Sequence, residues 1–178
     1  VSNRPVLIYG EEGTEKEILA QCIHNNSSFK SGPFVSVNVS ALPEETQLER
    51  LFGSPYAEEE SLQKGALALG DLGTVLIAEV EKLTSAAQYR LYRAIKYEAL
   101  LQNDIEKSQT LDNRIIVTSR KNLAICVKEG EFREDLYYLM NSLTLEIPSL
   151  RERPRDIEAI VTRCKKEFTR RYSKYLQI

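Results

Sequence analysis

A glycine-containing turn follows the first apolar run of the chain, and its residue types suit it to hold phosphate. The run Val6–Tyr9 leads directly into the segment GEEGTEKE. In such a segment, main-chain amides and the first turn of a helix surround a phosphate, and the lysine reaches the outer phosphate groups. The candidate phosphate-binding residues are therefore Gly10, Gly13, Thr14, Glu15, Lys16 and Glu17.

Two features of this turn oppose the phosphate that its shape would accept. Glu15 stands immediately before Lys16, where the standard pattern has a glycine that lets the backbone approach the phosphate closely. Four glutamates also surround this single lysine, so the segment carries a net charge of −3. Two like charges about 5 Å apart repel by roughly 3 kcal/mol at an effective dielectric constant of about 20. We expect ATP or ADP to bind weakly at best, and no cofactor to be required.

Short runs rich in Val and Ile alternate with amphipathic segments along the chain. The runs predict buried strands, and the amphipathic segments predict helices. Strands alternating with helices are typical of a parallel sheet covered on both faces. We therefore predict an α/β fold, a three-layer sandwich around a five-stranded parallel sheet. The predicted strands lie at 6–9, 34–38, 75–77, 115–117 and 143–147, and the predicted helices at 16–26, from Leu42-Pro43, at 84–101 and from about Arg155.

The pattern changes near residue 150, between Pro148 and Pro154. We expect residues 1–150 to form the α/β core and residues 151–178 to begin a second, helical unit that the chain does not complete. No apolar run has the length needed to span a bilayer, so no membrane contact is expected. The net charge of −2 argues against a DNA-contacting surface, which would need many lysines and arginines.

Three cysteines lie far apart in the sequence, without the spacing of metal ligands. We interpret Cys22, Cys126 and Cys164 as reduced thiols that behave as small buried side chains, which fits a cytoplasmic protein. No metal site is predicted. The single histidine, His24, ends the first predicted helix and is interpreted as structural.

Six ordered stretches of the chain resemble the central AAA+ domain of bacterial sigma-54-dependent transcription activators, a P-loop NTPase fold with a helical lid. The resemblance extends over most of the chain, and its most distinctive parts are GEFREDLYY and PSLRER. The six stretches are VLIYGEEGTEKEILAQCIH, GPFVSVNVSALPEE, GTVLIAEVEKL, QYRLYRAIKY, RIIVTSRKNL and GEFREDLYYLMNSLTLEIPSLRERPRDI.

The resemblance assigns roles to several residues, and this chain departs from the family at some of them. Ala78 stands where the family has the aspartate that holds magnesium, and a methyl group offers no oxygen to a hard cation. Glu79 matches the water-activating position, and we expect a vestigial, solvated carboxylate there. Arg120 replaces the sensor asparagine. Arg133 matches one candidate arginine finger, whereas Leu139 replaces the second.

The segment SPYAEEESLQK, residues 54–64, stands where the family has its sigma-54-contacting GAFTGA loop. It is shorter, lacks that motif and contains Glu58, Glu59 and Glu60. We expect a solvated loop, with contact to a basic partner as the alternative.

The resemblance implies a domain of a transcriptional regulator, and the departures leave three hypotheses open. The first is a regulatory or oligomerisation module with impaired or absent ATP binding and hydrolysis, and with Glu79 and Arg133 as vestigial catalytic residues. The second is a slow or unconventional ATPase that still couples ATP binding to transcription activation. The third is an inactive subunit that assembles with an active AAA+ relative and donates Arg133. The partners implied are other copies of the domain or another AAA+ subunit, and beyond these RNA polymerase or a signalling protein. Magnesium is not expected to bind.

Overall fold

The computed structural model of the chain describes residues 4–54, 60–97, 99–100 and 109–172. The chain divides into two compact units, Val1–Ile147 and Pro148–Ile178. Among the described residues, no helix combines the length and the apolar character needed to cross a membrane. The interpretation of the second unit as the beginning of a helical lid stays a prediction.

A five-stranded sheet forms the centre of the first unit, in the spatial order β2-β3-β6-β1-β7 with every neighbouring pair parallel. Strands β4 and β5 form a separate antiparallel pair. The predicted five-stranded parallel sheet is therefore confirmed. The strands are β1 (Val6–Tyr9), β2 (Phe34–Asn38), β3 (Thr74–Ala78), β4 (Ala99–Leu100), β5 (Gln109–Thr110), β6 (Arg114–Ser119) and β7 (Thr144–Glu146).

Six α-helices accompany the sheet in the described part of the first unit. The described part of the second unit contains one α-helix. The helix predicted for 84–101 is too long, because it ends at Tyr97 and its last residues form β4. There the backbone of Ala99 and Leu100 pairs with β5 instead of continuing the helix. The helices are α1 (Lys16–Asn25), α2 (Gln47–Phe52), α3 (Glu60–Leu69), α4 (Ser85–Tyr97), α5 (Leu123–Lys128), α6 (Glu134–Met140) and α7 (Pro154–Tyr172).

The two faces of the sheet are buried in separate hydrophobic clusters. Alternate residues of one strand belong to different clusters: Ile77 of β3 packs in the larger cluster and Leu76 in the smaller one. The larger cluster includes Leu91 of α4 and Leu136 of α6, and the smaller includes Ala20 of α1. Burial on both faces explains why the strands are continuous apolar runs, and it confirms the three-layer arrangement.

Helix α1 is buried on a face that only partly matches the predicted one. Of the residues expected to face the core, Leu19 and Ile23 are partly buried against the smaller cluster, whereas Ile18 and Cys22 are exposed. The buried residues of the helix are Lys16, Ala20 and His24. Cys22 is exposed, as is Cys164, and Cys126 is the buried one, so the prediction of buried thiols is wrong for two of the three. The small Ala20 brings the helix close to the sheet.

Two glycines allow the end of α2 and the middle of α3 to approach closely. A Cβ atom on Gly65 would lie 2.2 Å from the amide nitrogen of Gly53, so no side chain fits between the two backbones. Gly65 also has a φ of 70°, a conformation that favours glycine. Of the acidic run in this segment, Glu58 and Glu59 lie outside the described residues. Glu60 begins α3, so the predicted loop does not extend through it.

Candidate functional site

The phosphate loop lies between the end of β1 and the start of α1, at the carboxyl edge of the sheet. Gly13 has a φ of 77° and Glu15 a φ of 66°, so both adopt the left-handed conformation. For a residue with a side chain, that conformation costs about 1–2 kcal/mol. The hydroxyl of Thr14 donates to the carbonyl of Glu11 at 2.7 Å and closes the turn. At position 15 the backbone thus has the left-handed conformation that a glycine would adopt, although Glu15 carries a side chain.

The ammonium group of Lys16 is held by the loop itself. Its Nζ donates to the carbonyl oxygens of Gly10 and Glu11, each at 2.8 Å. Lys16 is only 9% exposed, and this burial, followed by the nearby charge of Arg120, lowers the pKa of its ammonium. Lys16 therefore lies at the head of α1, where phosphate oxygens could replace the two carbonyls as acceptors.

The end of β3 contributes Ala78 and Glu79 to the site. Ala78 is 2% exposed, and its methyl group offers no ligand atom. Glu79 is 7% exposed and adopts a left-handed conformation with a φ of 58°. Its amide donates to the hydroxyl of Thr118 on β6 at 3.2 Å. The predicted solvated carboxylate is therefore wrong: Glu79 is buried, and its charge is met by Arg120.

Arg120 joins the phosphate loop to the end of β3. Its Nη1 donates to Oε2 of Glu12 at 2.8 Å, and its Nη2 donates to Oε1 of Glu79. Its main-chain amide donates to Oε1 of Glu81 at 3.0 Å. The sequence identified Arg120 only as a lost sensor and missed this pairing. The signal that could have revealed it is the joint appearance of an extra arginine and an extra loop glutamate, with opposite charges.

The residues of this site do not fit a magnesium ion. Magnesium requires near-octahedral oxygen ligands, usually one or two carboxylates together with water and substrate phosphates. Ala78 supplies no oxygen, and Oε1 of Glu79 is already bonded to a guanidinium. Oε2 of Glu81 is buried without a hydrogen-bond partner, but it is one oxygen on a residue whose Oε1 is engaged. Among the described residues, no cluster of three or more His, Cys, Asp or Glu side chains could hold a metal.

Arg133 belongs to a different surface, formed by α4 and α6. It precedes α6, and its guanidinium donates to both carboxylate oxygens of Asp135, at 3.0 and 2.7 Å. The same group lies 5.2 Å from the ring centroid of Tyr89 and 6.0 Å from that of Tyr92. The carboxylate that binds Arg133 therefore belongs to the same chain.

His24 is placed by the structure in a buried contact away from the carboxylates of the site. Its Nδ1 lies 2.9 Å from the hydroxyl of Thr74, and its ring packs against Phe34 at 5.3 Å. Burial lowers the pKa of the imidazole. These contacts agree with a structural role.

Comparison with known proteins places this arrangement among regulators of transcription. The family model described as the sigma-54 interaction domain matches residues 1–146. Regulatory protein AtoC of Escherichia coli strain K12 is 35% identical over 172 residues, which are 95% of this chain and 37% of that protein. The Nif-specific regulatory protein of Azorhizobium caulinodans is 36% identical over 176 residues, 97% of this chain and 28% of that protein.

The fold is shared with solved structures. NtrX from Brucella abortus, determined in complex with ADP and in complex with ATP, superimposes with a TM-score of 0.85 at 30% identity. The match covers 99% of this chain and 39% of NtrX. The chain thus spans well under half the length of these relatives. Because the family model covers most of the sequence, the chain belongs to the sigma-54 interaction domain family.

Proposed function

We propose that this chain is the AAA+ domain of a bacterial transcriptional regulator and that it acts as a regulatory or oligomerisation module with impaired or absent ATP hydrolysis. The observation that carries the proposal is the ion pair between Glu79 and Arg120. By resemblance, Glu79 has the position that activates water. The charge of a carboxylate bonded to a guanidinium is compensated by that cation, and fewer of its lone pairs are available to polarise the water.

The neighbouring residues support the same proposal. Ala78 provides no metal ligand, and the shape of the phosphate loop is maintained by a strained Glu15 rather than by glycine. Phosphoryl transfer depends on a metal, positive charge and a positioned water acting together. A site in which each of these components is altered is suited to holding a fixed structure rather than to turnover. Nucleotide binding is expected to be weak and magnesium is not expected to contribute.

The proposal is tested by measuring phosphate release from Mg·ATP over a range of protein concentrations. We expect the wild-type chain to match its Lys16→Ala variant, which removes the only cation of the loop segment. The comparison is with a triple variant, Glu15→Gly/Ala78→Asp/Arg120→Asn, which restores the family residues at three positions. Wild-type turnover that disappears in Lys16→Ala would contradict the proposal.

Assembly is the activity that we propose in place of hydrolysis. The partner is another copy of the domain or another AAA+ subunit, and RNA polymerase or a signalling protein could bind the assembled regulator; this domain makes no direct DNA contact. The α4–α6 surface supports the proposal, since it exposes Tyr89 beside Arg133 and also exposes Tyr97 of α4 and Tyr138 of α6. Tyrosine and arginine are enriched at protein interfaces. Sedimentation velocity should show self-association that is unchanged by ATP and weakened by Tyr89→Ala.

A slow ATPase is the second candidate, and one observation favours it. The left-handed conformation of Glu15 leaves Lys16 at the head of α1, in the geometry that a phosphate-binding lysine needs. If this candidate is correct, the triple variant should hydrolyse ATP faster than the wild type, and Lys16→Ala should abolish both activities. A triple variant that does not bind ATP would show that the pocket has changed beyond the three substituted positions.

A further inference from the structure

Opposite charges that the resemblance does not account for meet at one point of the site. Glu12 lies in the phosphate loop and Arg120 follows β6, and the two are 108 positions apart in the chain. Arg120 also pairs with Glu79, which is nearly buried, and its main chain binds Glu81. The cation therefore lies among carboxylates in the part of the site where the metal would be expected.

We propose that the guanidinium of Arg120 replaces the divalent cation of this site, so that a polyphosphate enters the loop as its metal-free anion. This inference rests on the proposed function, in which the loop does not support hydrolysis, and it specifies the ligand that the loop can still accept. The ligand class is a short inorganic polyphosphate or the phosphate chain of a nucleoside triphosphate.

A magnesium ion and the guanidinium of Arg120 exclude one another at this site. A magnesium ion bound to Glu79 would have to displace the guanidinium from Oε1, and the two positive charges would then repel across a short distance. Ala78 supplies no oxygen that would compensate for this repulsion. An arginine cannot lose its proton in a protein, so its charge is a permanent feature of the site.

The site still provides two cations for an anion. Arg120 uses two of its five N–H donors on Glu12 and Glu79, which leaves donors for phosphate oxygens. Lys16 donates to two carbonyls of the loop, and these bonds can be exchanged for phosphate oxygens without movement of the helix. Lys16 binds the carbonyls of Gly10 and Glu11, and Arg120 binds the carboxylate of the next residue, Glu12, so both cations lie on the same loop. In agreement with this placement, the charge of Arg120 lowers the pKa of Lys16, after the larger effect of burial. An anion between them would relieve their repulsion.

The selectivity of the site follows from these two cations. Both bind the phosphate chain, and neither requires a base or a sugar. Tripolyphosphate should therefore bind about as well as ATP. The surrounding carboxylates, Glu12 and Glu79, remain close to the cations and keep the affinity low.

The test is titration calorimetry of the 178-residue chain with sodium tripolyphosphate and with ATP. Each titration is made once with EDTA and once with magnesium in excess over the ligand, at matched ionic strength because salt screens these charges. We expect heat of binding in EDTA and an affinity lower by about fivefold or more with magnesium, since the magnesium complex carries less negative charge for the two cations to bind. Thermal unfolding in the same buffers should show the corresponding difference in stabilisation.

Two variants identify the group responsible. Arg120→Asn should lower the metal-free affinity by about tenfold or more, because it leaves Glu12 and Glu79 without their cation. Lys121→Asn is the matched control: it removes the adjacent positive charge, which pairs with Glu131 at the surface, and should leave binding unchanged. The double variant Ala78→Asp/Arg120→Asn should bind the magnesium complex better than the free anion. Thermal unfolding without ligand establishes that each variant is folded.

Three results would overturn the inference: binding that requires magnesium, no binding in either buffer, or an Arg120→Asn variant that binds like the wild type. None of them affects the proposed function, which fails on a different result, namely wild-type hydrolysis of Mg·ATP. The two ideas can thus fail separately.

Discussion

The guanidinium of Arg133 and the carboxylate of Asp135 form a two-point ion pair in the first turn of α6, with Nε–Oδ1 and Nη2–Oδ2 distances of 3.0 and 2.7 Å. Asp135 also accepts the amide hydrogen bond of Leu136. The arginine that the family resemblance assigns to a neighbouring subunit is therefore bound within its own chain. For Arg133 to bind a neighbouring subunit, its ion pair with Asp135 has to be replaced by a more stable interaction.

The first prediction concerns the stability contribution of this pair. Arg133 lowers the pKa of Asp135 through their hydrogen bonds, so the ionised carboxylate stabilises the folded state. Both side chains are more than a third exposed, and exposed pairs contribute about 1 kcal/mol or less. Asp135→Asn should lower the free energy of unfolding by that amount at pH 7. The difference should persist down to the unfolded pKa near 3.9 and disappear as the pH falls through the lowered folded pKa.

Urea unfolding of both proteins between pH 7 and pH 3 measures this difference. Glu134→Gln, which neutralises the adjacent acid, is the control for a general loss of negative charge. A difference between the wild type and Asp135→Asn that grows on acidification would be incompatible with the assigned pKa direction.

The second prediction concerns strain in the phosphate loop. Glu15→Gly should raise the free energy of unfolding, by up to about 1 kcal/mol, because the left-handed conformation costs about 1–2 kcal/mol with a side chain and glycine adds flexibility to the unfolded chain. Glu17→Gly is a matched control two residues further on, in the first turn of α1. It should lose about 1 kcal/mol, as glycine does within a helix. Chemical denaturation at pH 7 decides the matter, and equal destabilisation by both substitutions would exclude strain at Glu15.

The third prediction concerns Gln88, a buried amide that links α4 to the approach to α6. Its Nε2 donates to the carbonyls of Leu83 and Glu131, and its Oε1 accepts from the amide of Arg133. Gln88→Leu retains the volume and leaves these main-chain groups without a partner. Each unsatisfied buried group costs about 1–3 kcal/mol, so the loss of this partner by three groups should cost about 3 kcal/mol or more in total.

Gln21→Leu is the control, since the side chain of Gln21 donates to Asn25 in an exposed hydrogen bond on α1. Its effect on the free energy of unfolding, measured by urea denaturation, should be within about 0.5 kcal/mol. If the two substitutions have similar effects, the amide of Gln88 does not hold this part of the fold together.

The fourth prediction uses the single histidine. Burial lowers the pKa of His24, so between that lowered value and about 6.5 the folded state binds fewer protons than the unfolded state. The free energy of unfolding therefore rises with pH across this window. The contribution of the neutral His24 to stability is lost on acidification. His24→Gln should flatten the dependence of stability on pH between 5 and 7, whatever its effect at pH 7. An unchanged slope would mean that carboxylates account for the acid sensitivity.

The sheet was predictable because its strands are buried on both faces and therefore appear as unbroken apolar runs. Leu76 and Ile77 face opposite sides, and both are fully buried. The end of α4 was less predictable, because residues up to Leu101 continue the helical pattern while Ala99 and Leu100 find a partner in β5, which only the tertiary structure supplies. The buried face of α1 was predicted only in part: Leu19 and Ile23 pack against the core as expected, but Ala20 and His24 fill the space beside the sheet, and apolar character alone does not indicate this.

The individual residues of the site were predictable from the sequence, whereas the ion pairs that connect them were not. The position of Lys16 and the altered Ala78 follow from motifs that are local in the sequence. The bridge from Glu12 through Arg120 to Glu79 joins residues that are far apart in the chain, and no local pattern reports it. For the same reason Glu79 was expected in solvent, since a lone acidic residue is usually solvated.

The close approach of Gly53 and Gly65 has a consequence for the packing of α2 and α3. Because a Cβ atom on Gly65 would lie against the backbone of Gly53, the close approach at this point depends on two residues without side chains. An alanine at position 65 would have to separate α2 from α3, and the left-handed φ of this residue would add strain. The packing of these two helices is therefore set by the absence of a single carbon atom.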